Sequence, residues 1–336
     1  MLKDKLQIIL ITYNRINALK NTFEQIFEKD SPIKDCSITI LNNASTDGTT
    51  DLINEYKSNF PNINHIINSK NIGGNANICR AYEVSAELNK EYTWILCDDD
   101  FYNFQNWNEV ERYMELKKDI ICVADYAFPS DKYKQNTAYQ ILQLSFVPAC
   151  IYRTESLTDN IMFTMYESTF SLFPHLALTI DIINSKKDIA VLSKPIVFNG
   201  IHYENKRKSI SYYRGSSKNN VTERKRQTNW VLGFVNILTL LNDKNLITEC
   251  LEVSIPYKDI YGSWYNFNKC IFQKYFNFSN FNYFYEIFKY LSIKRKLNFI
   301  LINLVGKYIG ISRFLNYCKN FITILKIKFH NYTRNN

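Results

Sequence analysis

Three aspartates in a row, Asp98, Asp99 and Asp100, follow the apolar run YTWILC. Adjacent carboxylates repel one another unless a cation lies among them. Mg2+ or Mn2+ suits such a group, because these ions take hard oxygen ligands from one or two carboxylates together with phosphate oxygens. An isolated acidic triplet is also a common turn after a strand, so its surroundings decide between the two. Three more polar loops follow apolar runs or short linkers: ITYNR at 11–15, NNASTDG at 42–48 and NIGGN at 71–75.

The elements that must position these loops show in the hydrophobic pattern. Short apolar runs at 7–11, 37–41, 64–68 and 92–97 alternate with helical periodicity over 16–29, 49–59 and 75–88, the rhythm of β-α-β units on a parallel sheet. In such sheets ligands gather beyond the carboxyl ends of the strands, so loops 12–15, 42–48, 71–75 and 98–100 are expected to converge. A second stretch, 120–200, mixes strands at 120–124, 146–152 and 189–192 with a helix at 173–184. Residues 204–226 are polar and end in the charge cluster ERKR, which reads as a flexible loop or linker. Beyond 229 the chain is rich in Phe, Tyr, Ile and Lys at mostly helical spacing, with no run of ~18 apolar residues to span a bilayer.

Composition narrows the class. With 336 residues, 46% of them hydrophobic, the chain can bury a sizeable core and is not a disordered protein. The net charge is +9, but it is unevenly placed. From Tyr257 onward 13 lysines and arginines face only Asp259 and Glu286, so the basic character belongs to the tail. The eight cysteines stand singly, with no C-x-x-C pair, as reduced thiols serving as small hydrophobes do. A cytoplasmic setting is the simplest expectation. The N-terminal apolar run, Ile8 to Ile11, is only four residues long before Thr12, which fits neither a signal peptide nor a membrane span. The sequence contains no internal repeat and no His or Cys spacing of the metal-binding type.

In their order, ITYNR, ILNNASTDGT, NIGGNANICRA and WILCDDD resemble the signature of family-2 glycosyltransferases with the GT-A fold, strongly over about residues 6–105 and weakly to about 205. The resemblance implies an α/β, Rossmann-like domain with a mostly parallel sheet flanked by helices. It implies a catalytic domain at 1–205, with a nucleotide-binding half (1–105) and an acceptor half (106–205). A linker at 206–228 and a basic, aromatic-rich helical appendage at 229–336 would follow. The expected activity moves a sugar from a nucleotide-diphosphate sugar, with UDP-sugars favoured, onto a glycan or lipid-linked acceptor. That transfer would be inverting, would use Mg2+ or Mn2+, and would serve cell-surface polysaccharide or glycoconjugate synthesis.

The same resemblance assigns residues. The first loop would hold base and ribose through Thr12, Tyr13 and Arg15; Tyr13 can stack on a base and Arg15 can pair with phosphate. The second loop usually begins with an aspartate that bonds the base, whereas Asn42 stands here, an amide that can both accept and donate. Asp47 and Gly48 read equally as a tight turn with a helix cap. Asn71, Gly74 and Arg80 would lie near the nucleotide, the glycines letting backbone approach the ligand. Asp100 is the expected metal ligand, with Asp98 nearer the ribose or metal and Asp99 either lining the donor site or simply filling the loop. His202 in FNGIHYENK resembles an additional metal ligand of some family members, although a lone histidine is often structural.

An inverting transfer needs a base to take the acceptor proton. Glu167 in MYESTFSLFPH is the first choice, His175 the second and Asp181 the third. Glu167 could equally be a cap and His175 a packed histidine. The tail combines Lys and Arg with bulky apolar residues, as a helix on an anionic membrane surface would, or as one packed on the core or a partner. Its basic residues follow no nucleic-acid-binding module. Two rivals stand beside the transferase: a phosphotransferase or phosphatase with paired aspartates, and a scaffold that binds glycan or membrane without catalysis. In the first, those aspartates typically follow the first strand, where ITYNR lies here.

Overall fold

The computed structural model describes residues 2–124, 136–200 and 233–254, with the single positions 289, 290, 293 and 296 beyond them. The chain divides into two compact units, Met1–Ser254 and Ile255–Asn336. In the first unit α1 (Leu2–Lys5), β1 (Leu6–Thr12), α2 (Ile16–Ile26), β2 (Ser37–Asn42), α3 (Thr49–Asn59), β3 (Ile63–Ile67), α4 (Gly74–Leu88) and β4 (Tyr92–Cys97) alternate. They are followed by β5 (Phe101–Tyr102), α5 (Trp107–Glu115), β6 (Ile120–Cys122), α6 (Thr137–Leu144), β7 (Cys150–Arg153), α7 (Asp159–Glu167), α8 (Leu176–Asn184), β8 (Ile189–Val191), β9 (Val197–Phe198) and α9 (Lys244–Ser254).

Among the described residues seven strands form one sheet in the order β3-β2-β1-β4-β7-β6-β8. β1 to β4 run parallel, β7 is antiparallel to both its neighbours, and β8 returns parallel to β6. The central strands are mostly apolar because helices cover both faces. Leu6, Ile8, Ile9 and Leu10 of β1 and Tyr92, Trp94, Ile95 and Leu96 of β4 are fully buried. α2 presents Leu19, Phe23 and Ile26 to this core, a spacing of four and three residues that lines one helical face. Its aromatic flank joins α3, where Phe27 stacks on Phe60 at 4.2 Å and Phe23 meets Tyr56 at 4.5 Å.

The register places the loops. Thr12 lies opposite Asn42 and Asn42 opposite Ile67, while Ile11 lies opposite Cys97. The chain therefore leaves all four parallel strands at one level on one edge. Two glycines make the exits sharp: Gly48 (φ 86°) and Gly73 (φ 87°) precede α3 and α4 in left-handed backbone that a Cβ disfavours. A two-stranded ribbon closes over that edge, pairing Phe101 with Phe198 and Tyr102 with Val197.

Several boundaries differ from the sequence expectation for local reasons. The strand expected at 146–152 begins only at Cys150, because Val147–Ala149 forms a 3-10 turn around Pro148, which has no N–H for a ladder. The helix expected from 173 starts at Leu176, after Pro174 and a left-handed Leu172 (φ 68°).

The helical residues 233–238 and α9 belong to the first unit, and α9 packs on α6. The region expected to start at 229 is thus divided between the two units. In the second unit the described positions Lys289, Tyr290, Ile293 and Lys296 are helical, and the Lys289 ammonium lies 5.0 Å from the Tyr290 ring centroid. The linker expected at 206–228 and nearly all of the basic tail lie outside the described residues. Among the described residues no helix is long and apolar enough to cross a membrane. The six described cysteines are free, and all but Cys97 are buried, as small hydrophobes should be.

Candidate active site

The first and fourth strand ends are tied together by side chains. Thr12 at the end of β1 donates its hydroxyl to Asp98 Oδ2 at 2.6 Å, and Arg15 Nη1 reaches Asp98 Oδ1 at 2.9 Å and Asp99 Oδ2 at 2.8 Å. Thr22 of α2 holds the Asp98 carbonyl at 3.0 Å. Asp98 is 2% exposed and Asp100 7%, so two carboxylates of the triplet are nearly removed from water. Asp100 Oδ1 accepts the backbone N–H of Gly200 at 3.2 Å.

Gly200 is required sterically. A side-chain carbon there would overlap the Asp99 carbonyl oxygen and crowd its carbonyl carbon. The β5–β9 ribbon delivers it, aided by the Asn103 N–H on the Ile196 carbonyl at 2.8 Å. Below the loop, the Tyr102 hydroxyl donates to the Cys97 carbonyl at 2.8 Å.

The second and third loops are clamped by asparagines. Asn43 Oδ1 accepts Asn68 Nδ2 at 2.9 Å and the Ile72 N–H at 3.0 Å, and Asn43 Nδ2 donates to Asn71 Oδ1 at 2.9 Å. Asn71 Oδ1 also takes the Gly73 N–H at 2.8 Å, and Asn68 Nδ2 reaches Asn77 Oδ1 at 2.8 Å. Asn43, Asn68 and Asn77 are buried. Such buried amides are stable only when their polar atoms are paired, and here the pairing fixes the glycine loop at the start of α4. A side chain at Gly74 would meet nothing within 4 Å, so the backbone there faces open space.

Asn42 lies beneath this surface. It is fully buried, its Oδ1 accepting the Ser45 N–H at 2.8 Å and its Nδ2 donating to Thr50 at 3.3 Å. Its amide shapes the second loop. Asp47 also works within the protein: it accepts the Ile16 N–H at 3.0 Å and the Thr49 N–H at 3.2 Å. Burial alone would raise the Asp47 pKa, but the Thr49 and Ile16 hydrogen bonds hold it below the usual value. Tyr13, by contrast, is 40% exposed and free of the core. Arg80, six residues into α4, is half-buried and encloses an Nε with no hydrogen-bond partner among the described residues.

The candidate bases differ sharply. Glu167 is exposed at the end of α7. The next turn is attached to the glycine loop, because Asn75 Nδ2 donates to the Thr169 carbonyl at 2.6 Å. His175 is 1% exposed, and its Nε2 lies 3.0 Å from the Ser145 carbonyl. Burial lowers its pKa to about 4, so it is a neutral packed imidazole and the packing alternative describes its geometry. Asp181 sits inside α8. His202 lies outside the described residues.

The residues fit a hard divalent ion. Among the described residues, ligand atoms of Cys97, Asp99 and Asp100 fall within 4.8 Å of one another. The two carboxylates suit Mg2+ or Mn2+ and the thiol does not. Asp98, named as a ligand from sequence, is instead outside this group and engaged by Thr12 and Arg15.

Electrostatics agree with a place for positive charge. Burial raises the Asp98 pKa to about 6 against the opposing pull of Arg15, with Asp99 adding to the rise. Burial and then Asp99 push Asp100 well above the ordinary range. Both folded values exceed the unfolded one, so between about pH 4 and pH 6 the folded state holds more protons and stability falls as pH rises. A divalent ion needs ionised ligands, so its benefit grows over the same window. Melting curves across that range should show a decline in chelator that Mn2+ reduces; parallel curves would contradict this assignment.

Comparison with known proteins agrees with this fold. The model of glycosyl transferase family 2 aligns with residues 7–180. Abequosyltransferase RfbV of Salmonella typhimurium is 32% identical over 111 residues, a stretch that makes up 32% of each chain. Among solved structures, S. aureus TarS 1-349 in complex with UDP-GlcNAc superposes with a TM-score of 0.56 at 14% identity, over 85% of this chain and 80% of that one. Mannosyltransferase PcManGT from Pyrobaculum calidifontis, in complex with GDP-Man and Mn2+, gives 0.52 at 13% identity, over 74% and 68%. These likenesses establish the GT-A type of fold.

Proposed function

The chain belongs to glycosyl transferase family 2, and we propose that it moves a sugar from a nucleotide-diphosphate sugar onto a glycan or lipid-linked acceptor in cell-surface polysaccharide synthesis. The observation that carries this reading is the junction of Thr12, Arg15 and the aspartate triplet, beside a clamped glycine loop, on the carboxyl edge of the sheet. The relative named for abequose transfer, and the neighbours holding UDP-GlcNAc and GDP-Man, support a nucleotide-sugar donor. UDP-sugars are favoured.

In this reading Tyr13 stacks on the base, while Thr12 and Asp98 fix the wall of the ribose site. Asn42 acts indirectly, by holding the loop on which the base rests. Arg15, Arg80 and the N–H groups at the start of α4 face the diphosphate. Asp99 and Asp100 hold Mg2+ or Mn2+, which offsets the charge on the departing diphosphate. Glu167, exposed beside the glycine loop, takes the acceptor proton as the anomeric carbon is attacked from the opposite side, so the transfer inverts. His202 is a further ligand, and the basic tail holds the enzyme at the anionic inner face of the cell membrane.

A panel of nucleotide sugars tests this by thermal unfolding with Mn2+ and with chelator, since a ligand of the native state alone raises the melting temperature. One donor should give a metal-dependent rise. No rise with any donor would favour a scaffold without catalysis.

A further inference from the structure

One guanidinium nitrogen bridges two members of the aspartate triplet. Arg15 Nη1 stands 2.9 Å from Asp98 Oδ1 and 2.8 Å from Asp99 Oδ2. The other Asp98 oxygen takes the Thr12 hydroxyl, so both Asp98 oxygens are engaged and Asp99 is paired. Of the triplet, only Asp100 lacks a side-chain partner among the described residues; its hydrogen bond comes from the Gly200 backbone. Asp99 belongs to the set that fits a divalent ion, and it is the one exposed by about a third, with Arg15 similarly open to solvent at 35%. The arginine therefore holds a ligand that the ion needs, from a position that water and a ligand can reach.

Resting on the reading of this loop as the seat of a divalent ion, the geometry points to Arg15 as the built-in counter-cation of the acidic loop. It yields Asp99 when a donor diphosphate offers better anionic partners. The diphosphate satisfies the planar guanidinium fork bidentately, and the freed carboxylate then ligates the ion. Donor and ion load as a pair, and the ion alone competes against a built-in positive charge. The arginine is a positioning residue whose departure couples two binding events.

The test is Mn2+ titration of the full chain by calorimetry, with and without UDP, for the wild type, Arg15→Gln and Arg15→Lys. Arg15→Gln should bind Mn2+ alone about tenfold more tightly than the wild type, the scale of effect of removing one cation a few ångströms away. Arg15→Lys keeps the charge and should stay near the wild type, which a purely structural role for the guanidinium would not give. UDP should tighten Mn2+ binding less in Arg15→Gln than in the wild type. Equal or weaker binding of Mn2+ alone by Arg15→Gln, with its unfolding still cooperative, overturns the proposal. If no protein binds Mn2+ even with UDP present, the reading of the loop as a metal seat fails first and takes the proposal with it.

Discussion

Asp100→Ala should lower sugar transfer by about a hundredfold to a thousandfold, the usual scale for losing one preorganised group that stabilises charge in the transition state. The fold should survive. Asp100 is buried with one backbone hydrogen bond, and burial and Asp99 hold its pKa well above the ordinary range. Removing such a group relieves an unfavourable burial, so melting in chelator should be unchanged or higher. The rise in melting temperature produced by donor and Mn2+ together should disappear. A variant that keeps wild-type turnover, or that loses it only because it unfolds, would contradict the role assigned to this carboxylate.

Gly200→Ala should be nearly as damaging, although glycine has no chemistry of its own. Its added carbon overlaps the Asp99 carbonyl, and the neighbour is backbone, which cannot rotate away as a side chain can. Either the triplet shifts or the ribbon lifts, and in both cases the Gly200 N–H leaves Asp100. Disturbing a partner that orients a ligand typically costs about 10- to 100-fold in metal affinity. The sheet beneath is untouched, so the melting temperature in chelator should change far less than Mn2+ affinity does. Wild-type Mn2+ affinity in Gly200→Ala would show that the contact does not position the acidic loop.

The nucleotide-binding half was legible in the sequence because its strands are buried on both faces. β1, β2 and β4 appear as predominantly apolar runs, and α3 and β4 begin and end where the periodicity places them. The convergence of the four loops followed from the parallel order, and Thr12, Arg15 and Asp98 do meet. The acceptor half was less legible. α6 and α7 are short and only partly buried, and β7 is shortened by Pro148 and runs antiparallel. The β5–β9 ribbon joins two-residue segments far apart in sequence, too short for any periodic signal.

The site was read unevenly for similar reasons. Asn43, Asn68 and Asn77 look like ordinary loop polarity or a helical residue, and only their mutual hydrogen bonds reveal a clamp. Asn42 stands where a base-binding residue was expected, yet the strand end turns its amide inward to Ser45 and Thr50. Gly200 lies in FNGIHYENK, a run singled out for His202 and not for its glycine. Its signal was the absence of a side chain next to a loop whose proximity only the fold discloses. Arg15 was expected to meet phosphate, and in the structure its guanidinium pairs with Asp98 and Asp99.

The most direct measurement is release of nucleoside diphosphate from a panel of sugar donors by the purified chain, with Mn2+ and with chelator. The account predicts slow, metal-dependent release from one donor, accelerated by a glycan or lipid-linked acceptor and lost in Asp100→Ala. No release from any donor under either condition, with acceptor present and the protein folded, would contradict a catalytic sugar transferase.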